Sequence, residues 1–98
     1  MIRLIGANER LIAEFGETQI SYRRLSSTER VQMRAAATRN GVVDAEELSR
    51  IVLARCVLGW SGIEGDPAFT PENVALLPIL VQTRLVDLIY GGDDLKNS

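Results

Sequence analysis

Apolar and polar residues alternate with a period of two on both sides of Gly16-Glu17, in RLIAEF (residues 10–15) and TQISYR (residues 18–23). A two-residue connection led by glycine suits a type II′ hairpin turn. Pairing residue 15 with 18 sets 13 opposite 20 and 11 opposite 22. Leu11, Ala13, Phe15, Ile20 and Tyr22 then share one face, while Glu14, Gln19 and Ser21 share the other. Pattern and turn geometry agree, as a half-buried sheet requires. A further strand over residues 2–5, joined through the turn GANE, would complete a three-stranded meander. A lone hairpin is marginal in water, so its apolar face needs helices against it.

Three helices follow, each with a start signal. Ser26-x-x-Glu29 reads as a capping box, opening a helix that runs to about Asn40 and is stopped by Gly41. Asp44-x-x-Glu47 opens a second, ending near Leu58-Gly59. Thr70 caps a third, with Pro71 in its first turn and Glu72 complementing the helix dipole. This last helix is expected to reach Tyr90, with Pro78 kinking or splitting it. The expected fold class is α+β and mostly helical: an N-terminal hairpin, or meander, packed on three α-helices. One domain covers residues 1–92, and residues 93–98 read as a disordered polar tail.

On the third helix Val74, Leu77, Val81, Leu85 and Leu88 form one stripe, yet Leu76 and Leu80 project from nearly the opposite side. The second helix, over IVLARCVL, is also apolar around its axis. So small a domain has little protein with which to cover two such helices. The surplus implies a homo-oligomer or a protein partner. Leu76, Leu80, Val81, Leu85 and Leu88 are the candidate contacts.

Composition narrows this picture by exclusion. The 98 residues are 46% apolar and 24% charged, with net charge −2, an ordinary globular balance. The charge is uneven: residues 1–40 carry +3 and residues 41–98 carry −5. That asymmetry could steer copies or partners together. No apolar run reaches the roughly 18 residues of a membrane span, and no signal peptide is legible at the start. The single cysteine excludes an internal disulfide, and a cytoplasmic protein is expected.

The chain contains no histidine, which removes the usual base for a nucleophile and the commonest transition-metal ligand. Cys56 reads as an inert buried thiol, and Glu64 and Asp66 as turn residues. No catalytic, metal or cofactor site is expected. RNGVVDAEEL imitates the back of a calcium loop, but Ala36 and Thr38 stand where its first carboxylates belong. A helix-turn-helix reading of the same corner would aim Asp44, Glu46 and Glu47 at phosphates. Arg30 and Arg34 share a face that could touch RNA, without aromatic residues nearby to stack bases.

The stretch CVLGWSGIEGDPAFTPEN carries the only tryptophan in what reads as a loop. Gly59, Gly62 and Gly65 permit tight turns. Trp60, Ile63 and Phe69 can then fold back as a structural clasp between the second and third helices, with Phe69 and Val74 as a hydrophobic staple. Val57, Gly59, Trp60, Gly62, Ile63, Gly65, Phe69, Thr70, Glu72 and Asn73 match a V-x-G-W-x-G-I/V…G…F-T/S-x-E-N block. With ISYRRLS and TRNGVVDAEEL before it, the order resembles the tail assembly chaperones of tailed phages and prophages over residues 18–90, with a shorter loop than many members.

That resemblance implies a non-enzymatic role in the bacterial host's cytoplasm, with no cofactor. The implied partner is the tape measure protein, held during tail morphogenesis. A longer frameshifted product is also common in such families. Two other classes compete: a structural tail or connector protein of the virion, and a small nucleic-acid-binding regulator. Membrane attachment is not expected.

Overall fold

A computed structural model describes residues 9–90; the suggested strand over residues 2–5 and the tail at 93–98 lie outside them. The chain forms a small α+β domain. Strand β1 (Leu11–Phe15) pairs antiparallel with β2 (Thr18–Tyr22) in the expected register, Leu11 opposite Tyr22, Ala13 opposite Ile20 and Phe15 opposite Thr18. Gly16 takes φ +63° and Glu17 stays at negative φ, the signs a type II′ turn needs. Ala13, Ile20 and Tyr22 are buried and Leu11 and Phe15 pack at the core's edge.

Among the described residues, a strand from later in the chain joins the other edge of β2. The second helix, α2 (Ala45–Cys56), stops before Leu58-Gly59, and Val57–Ser61 form strand β5 against β2. Tyr22 pairs with Val57 and Ser21 with Gly59, leaving Leu58 as an extra bulged residue. The bulge sets the pleat: Val57 and Trp60 are three apart, yet both lie opposite core residues of β2, Tyr22 and Ile20. Without it, one of them would turn to solvent.

Helix α1 (Ser27–Ala36) opens with the expected capping box. Ser26 Oγ accepts from the Glu29 N–H at 3.1 Å, and a Glu29 oxygen accepts from the Ser26 N–H at 3.2 Å. The helix ends earlier than the anticipated Asn40. Asn40-Gly41, read as a helix stop, is instead the turn of a second small hairpin, β3 (Thr38–Arg39) with β4 (Val42–Val43). Both turn residues have positive φ, 53° and 78°, as a type I′ turn demands and Asn-Gly supplies. Ala37 is buried, and its carbonyl accepts from the Asp44 N–H at 2.9 Å, so the hairpin hands the chain directly to the Asp44 cap of α2. A hairpin here rules out a helix-turn-helix.

The long third helix is two. Helix α3 (Pro71–Val74) ends where the missing N–H of Pro78 would have donated, at the Val74 carbonyl. That carbonyl accepts from the Leu77 N–H at 3.2 Å instead, and α4 (Ile79–Ile89) starts afresh after Pro78. Helix α2 lies at the centre, packed on α1, α3, α4 and β5. Val52, Leu53 and Cys56 of α2 join Ile20, Leu85 and Ile89 in the core. Burial pushes the Cys56 thiol up to about 11, so it stays protonated at neutral pH.

One side chain ties these elements together. Glu29 accepts both Arg23 guanidinium nitrogens, at 2.9 and 2.7 Å, and Arg55 Nε at 3.0 Å, while Arg23 N–H donates to the Cys56 carbonyl at 2.9 Å. The bonds from Arg23, then those from Arg55 and the Ser26 backbone, hold its carboxyl well below the usual carboxylate range. Glu29→Gln should lower unfolding free energy by about 2 kcal/mol, read from urea unfolding at neutral pH. Because the folded pKa lies below the unfolded one, this stabilisation is complete at neutral pH. It drains away as pH falls below about 4 and on through the depressed folded value. The wild type should therefore lose stability on acidification more steeply than Glu29→Gln; parallel curves would refute the network's role.

Candidate functional site

The exposed apolar residues are not spread evenly. Ile12, Val31 and Val42 stand singly on β1, α1 and β4. Leu76, Ile79 and Leu80 fall within five residues at the α3–α4 corner and are 79%, 71% and 80% exposed. Single exposed apolar side chains are ordinary; three large ones on one corner stand apart from them.

This shoulder is held rigidly. Thr70 Oγ1 caps α3 by accepting from the Asn73 N–H at 3.1 Å, and Asn73 Nδ2 donates to the Ala68 carbonyl at 2.8 Å. Gln82 Nε2 on α4 donates to the carbonyls of Ala75 and Leu77, at 3.1 and 2.7 Å. Carbonyls left without helical partners by the break between α3 and α4 are thereby satisfied by a side chain. At the far end, Arg30 Nη2 donates to the Tyr90 carbonyl at 3.1 Å with its guanidinium 5.4 Å from the Tyr90 ring centre. Arg30 thus anchors α4 to α1 and is not the free cation of an RNA-binding face.

Of the five residues expected to meet a partner, the structure brings Leu76 and Leu80 to the surface. Val81 and Leu88 are half-buried against the core, and Leu85 is fully sealed at 0% exposure, so it cannot be a contact. Leu76 lies in the turn and not on a helix, and its outward position comes from the break at Pro78. Ile79 was not among the five. Its signal was available: once Pro78 divides the helix, residues 79 and 80 become an unpaired first turn.

The three residues expected to form a clasp are placed as follows. Trp60 belongs to β5, and its indole N–H donates to the Pro67 carbonyl at 3.1 Å across the loop. Phe69 meets Trp60 edge to face, ring centres 5.2 Å apart at 89°. Phe69 stays 41% exposed while Val74 is buried. Ile63 is half-buried, and its carbonyl accepts from the Asp66 N–H at 2.9 Å, closing a turn. Thr18 Oγ1 donates to the Gly62 carbonyl at 2.8 Å, joining the loop to the first hairpin.

The described residues hold no group of three or more His, Cys, Asp or Glu side chains placed to share a metal, and no helix long and apolar enough to cross a membrane. Comparison with protein-family models, curated proteins and solved structures finds no match to the chain.

Two sets of substitutions test this geometry. Leu76→Ser and Leu80→Ser should each change unfolding free energy by less than about 0.5 kcal/mol, whereas Leu85→Ala should cost about 3 kcal/mol; a large loss at Leu76 or Leu80 would place them in the core. Gly62 and Gly65 both have positive φ, 74° and 81°, but a Cβ on Gly62 would lie 2.3 Å from the Glu17 carbonyl oxygen and one on Gly65 would meet nothing. Gly65→Ala should cost about 1 kcal/mol from backbone strain alone. Gly62→Ala should cost clearly more in the same thermal or urea unfolding series.

Proposed function

We propose that this chain is a non-enzymatic binding protein that holds an apolar helix of a protein partner on the Leu76–Ile79–Leu80 shoulder. We propose further that it acts as a tail assembly chaperone on the tape measure protein of a phage or prophage. The observation that carries the first part is the shoulder itself: three large apolar side chains, mounted on a corner that Thr70 and Gln82 tie down through side-chain hydrogen bonds. The tail assembly role is supported by the Trp60 block, whose Trp60, Gly62, Phe69 and Asn73 all build the clasp behind that corner. Cytoplasmic action in the bacterial host belongs to the same proposal.

Magnitudes favour a partner that covers more than the shoulder. Burying three Leu or Ile side chains supplies roughly 5–9 kcal/mol, while association costs about 4–15 kcal/mol in lost freedom. A stable complex therefore draws on neighbouring surface as well. Self-association through the same corner is the second reading. It is favoured by the opposite charges of residues 1–40 and 41–98, +3 and −5.

Co-expression with the proteins encoded beside it, followed by capture and sizing, tests the proposal. The expected outcome is retention of a long helical protein, lost in Leu76→Glu/Leu80→Glu. Failure to retain any neighbour, or retention indifferent to that double substitution, would overturn it. Finding the protein in finished particles would favour a structural tail subunit, and salt-sensitive binding to DNA or RNA would favour a regulator.

A further inference from the structure

Beside the shoulder, between α2 and the α3–α4 corner, lies a cavity of about 280 Å³. Its floor is Leu53 and Val74, both buried, and the small side chains of Ala54 and Ala75 leave its walls open. It neighbours the shoulder along the chain: Ala75 precedes Leu76 directly, and Gln82, on the cavity wall, is one helical turn beyond Ile79. Small-molecule sites run from about 300 to 1,000 Å³. This cavity falls just below that range and suits one or two large apolar side chains.

The rim carries a charge preference. Glu46 and Glu72 are exposed there, and Arg50, the one cation among the described lining residues, is engaged by Glu47, Nε to Oε2 at 3.1 Å with a second bond beside it. The whole cavity is built from residues 41–98, the half of the chain with net charge −5. Glu46, Arg50, Leu53 and Ala54 line one face of α2 over roughly 12 Å. That is about two turns, the length over which a docked helix presents anchors at i, i+3 or i+4, and i+7.

We infer that this cavity receives an apolar anchor from a partner's amphipathic helix whose flanking positions are Lys or Arg, extending the shoulder into one continuous groove. The inference rests on the protein-binding reading above and adds the charge and anchor pattern of the partner segment. Apolar contact seats the helix; the acidic rim orients it and rejects helices flanked by carboxylates.

Two labelled peptides of roughly 18 residues provide the probe. They share one leucine face and differ only in having Lys or Glu at the flanking positions. The full chain should bind the Lys-flanked peptide at least about tenfold more tightly by fluorescence anisotropy, and the gap should shrink as salt is added. Ala54→Leu, which fills the cavity, should weaken that binding by about tenfold or more while leaving the melting curve in place. Glu46→Gln/Glu72→Gln should erase the preference between peptides, and this second variant decides the matter if Ala54→Leu fails to fold. Equal affinity of wild type for the two peptides, or undiminished binding by folded Ala54→Leu, would overturn the inference. A wild-type dimer that Ala54→Leu converts to monomer would also overturn it, by naming a second copy as the occupant. Loss of the co-expression result with peptide binding intact removes the tail role alone. Capture that depends on Leu76 and Leu80 but survives Ala54→Leu removes the cavity alone.

Discussion

A single carboxylate holds three elements of this domain in register. Glu29 is the third residue of α1, yet it accepts from Arg23 at the exit of β2, from Arg55 in the last turn of α2 and from the backbone of its own cap. Neutralising either arginine would leave the other holding a pair, but removing the carboxylate frees two cations and a helix cap at once. Its side chain is 15% exposed and that of Arg23 is 16%, so solvent screens the pair far less than the surface pair of Arg84 and Asp87. The Arg23 N–H reaches Cys56 at the point where α2 becomes β5. The network thus fixes the place where helix must give way to strand.

That junction also limits what could be read from the chain. The first hairpin was legible down to its register, because alternation and turn residues agreed over a short local span. Each helix start was legible for the same reason: Ser26, Asp44 and Thr70 cap through bonds only three residues long. Strand β5 was not. Val57 and Trp60, three apart, imitate a helical face, and only a bulge at Leu58 places both on a sheet's inner side. A pairing that joins residue 20 to residue 60 leaves no local trace. Asn40-Gly41 is a different kind of miss. Its type I′ signal was present, but a capped helix before it competed for the glycine as a stop.

The exposed apolar corner was legible in amount and not in detail. Surplus apolar area in the C-terminal half was evident, and Leu76 and Leu80 were named. A helical wheel drawn through Pro78 treated residues 70–90 as one axis, which made Leu85 look as available as Leu80. Dividing the helix rotates the two parts independently: Leu85 and Ile89 turn into the core, and Ile79 and Leu80 are left on the opening turn of α4.

The exposure of that corner is a consequence of how its backbone is satisfied. Proline removes the donor for the Val74 carbonyl, and Gln82 then binds the carbonyls of Ala75 and Leu77 from the next helix. Turning Leu76 inward would break those bonds, and turning Ile79 and Leu80 inward would rotate Leu85 and Ile89 out of the core. Among the described residues, hiding the shoulder therefore costs either side-chain hydrogen bonds or core burial. The contacts of Trp60, Phe69 and Asn73 tie down the segment that leads into α3, and so fix where the corner stands. A corner fixed in this way would lose little conformational freedom in meeting the partner proposed for it, so its area would convert to affinity more fully than that of a mobile loop of the same composition.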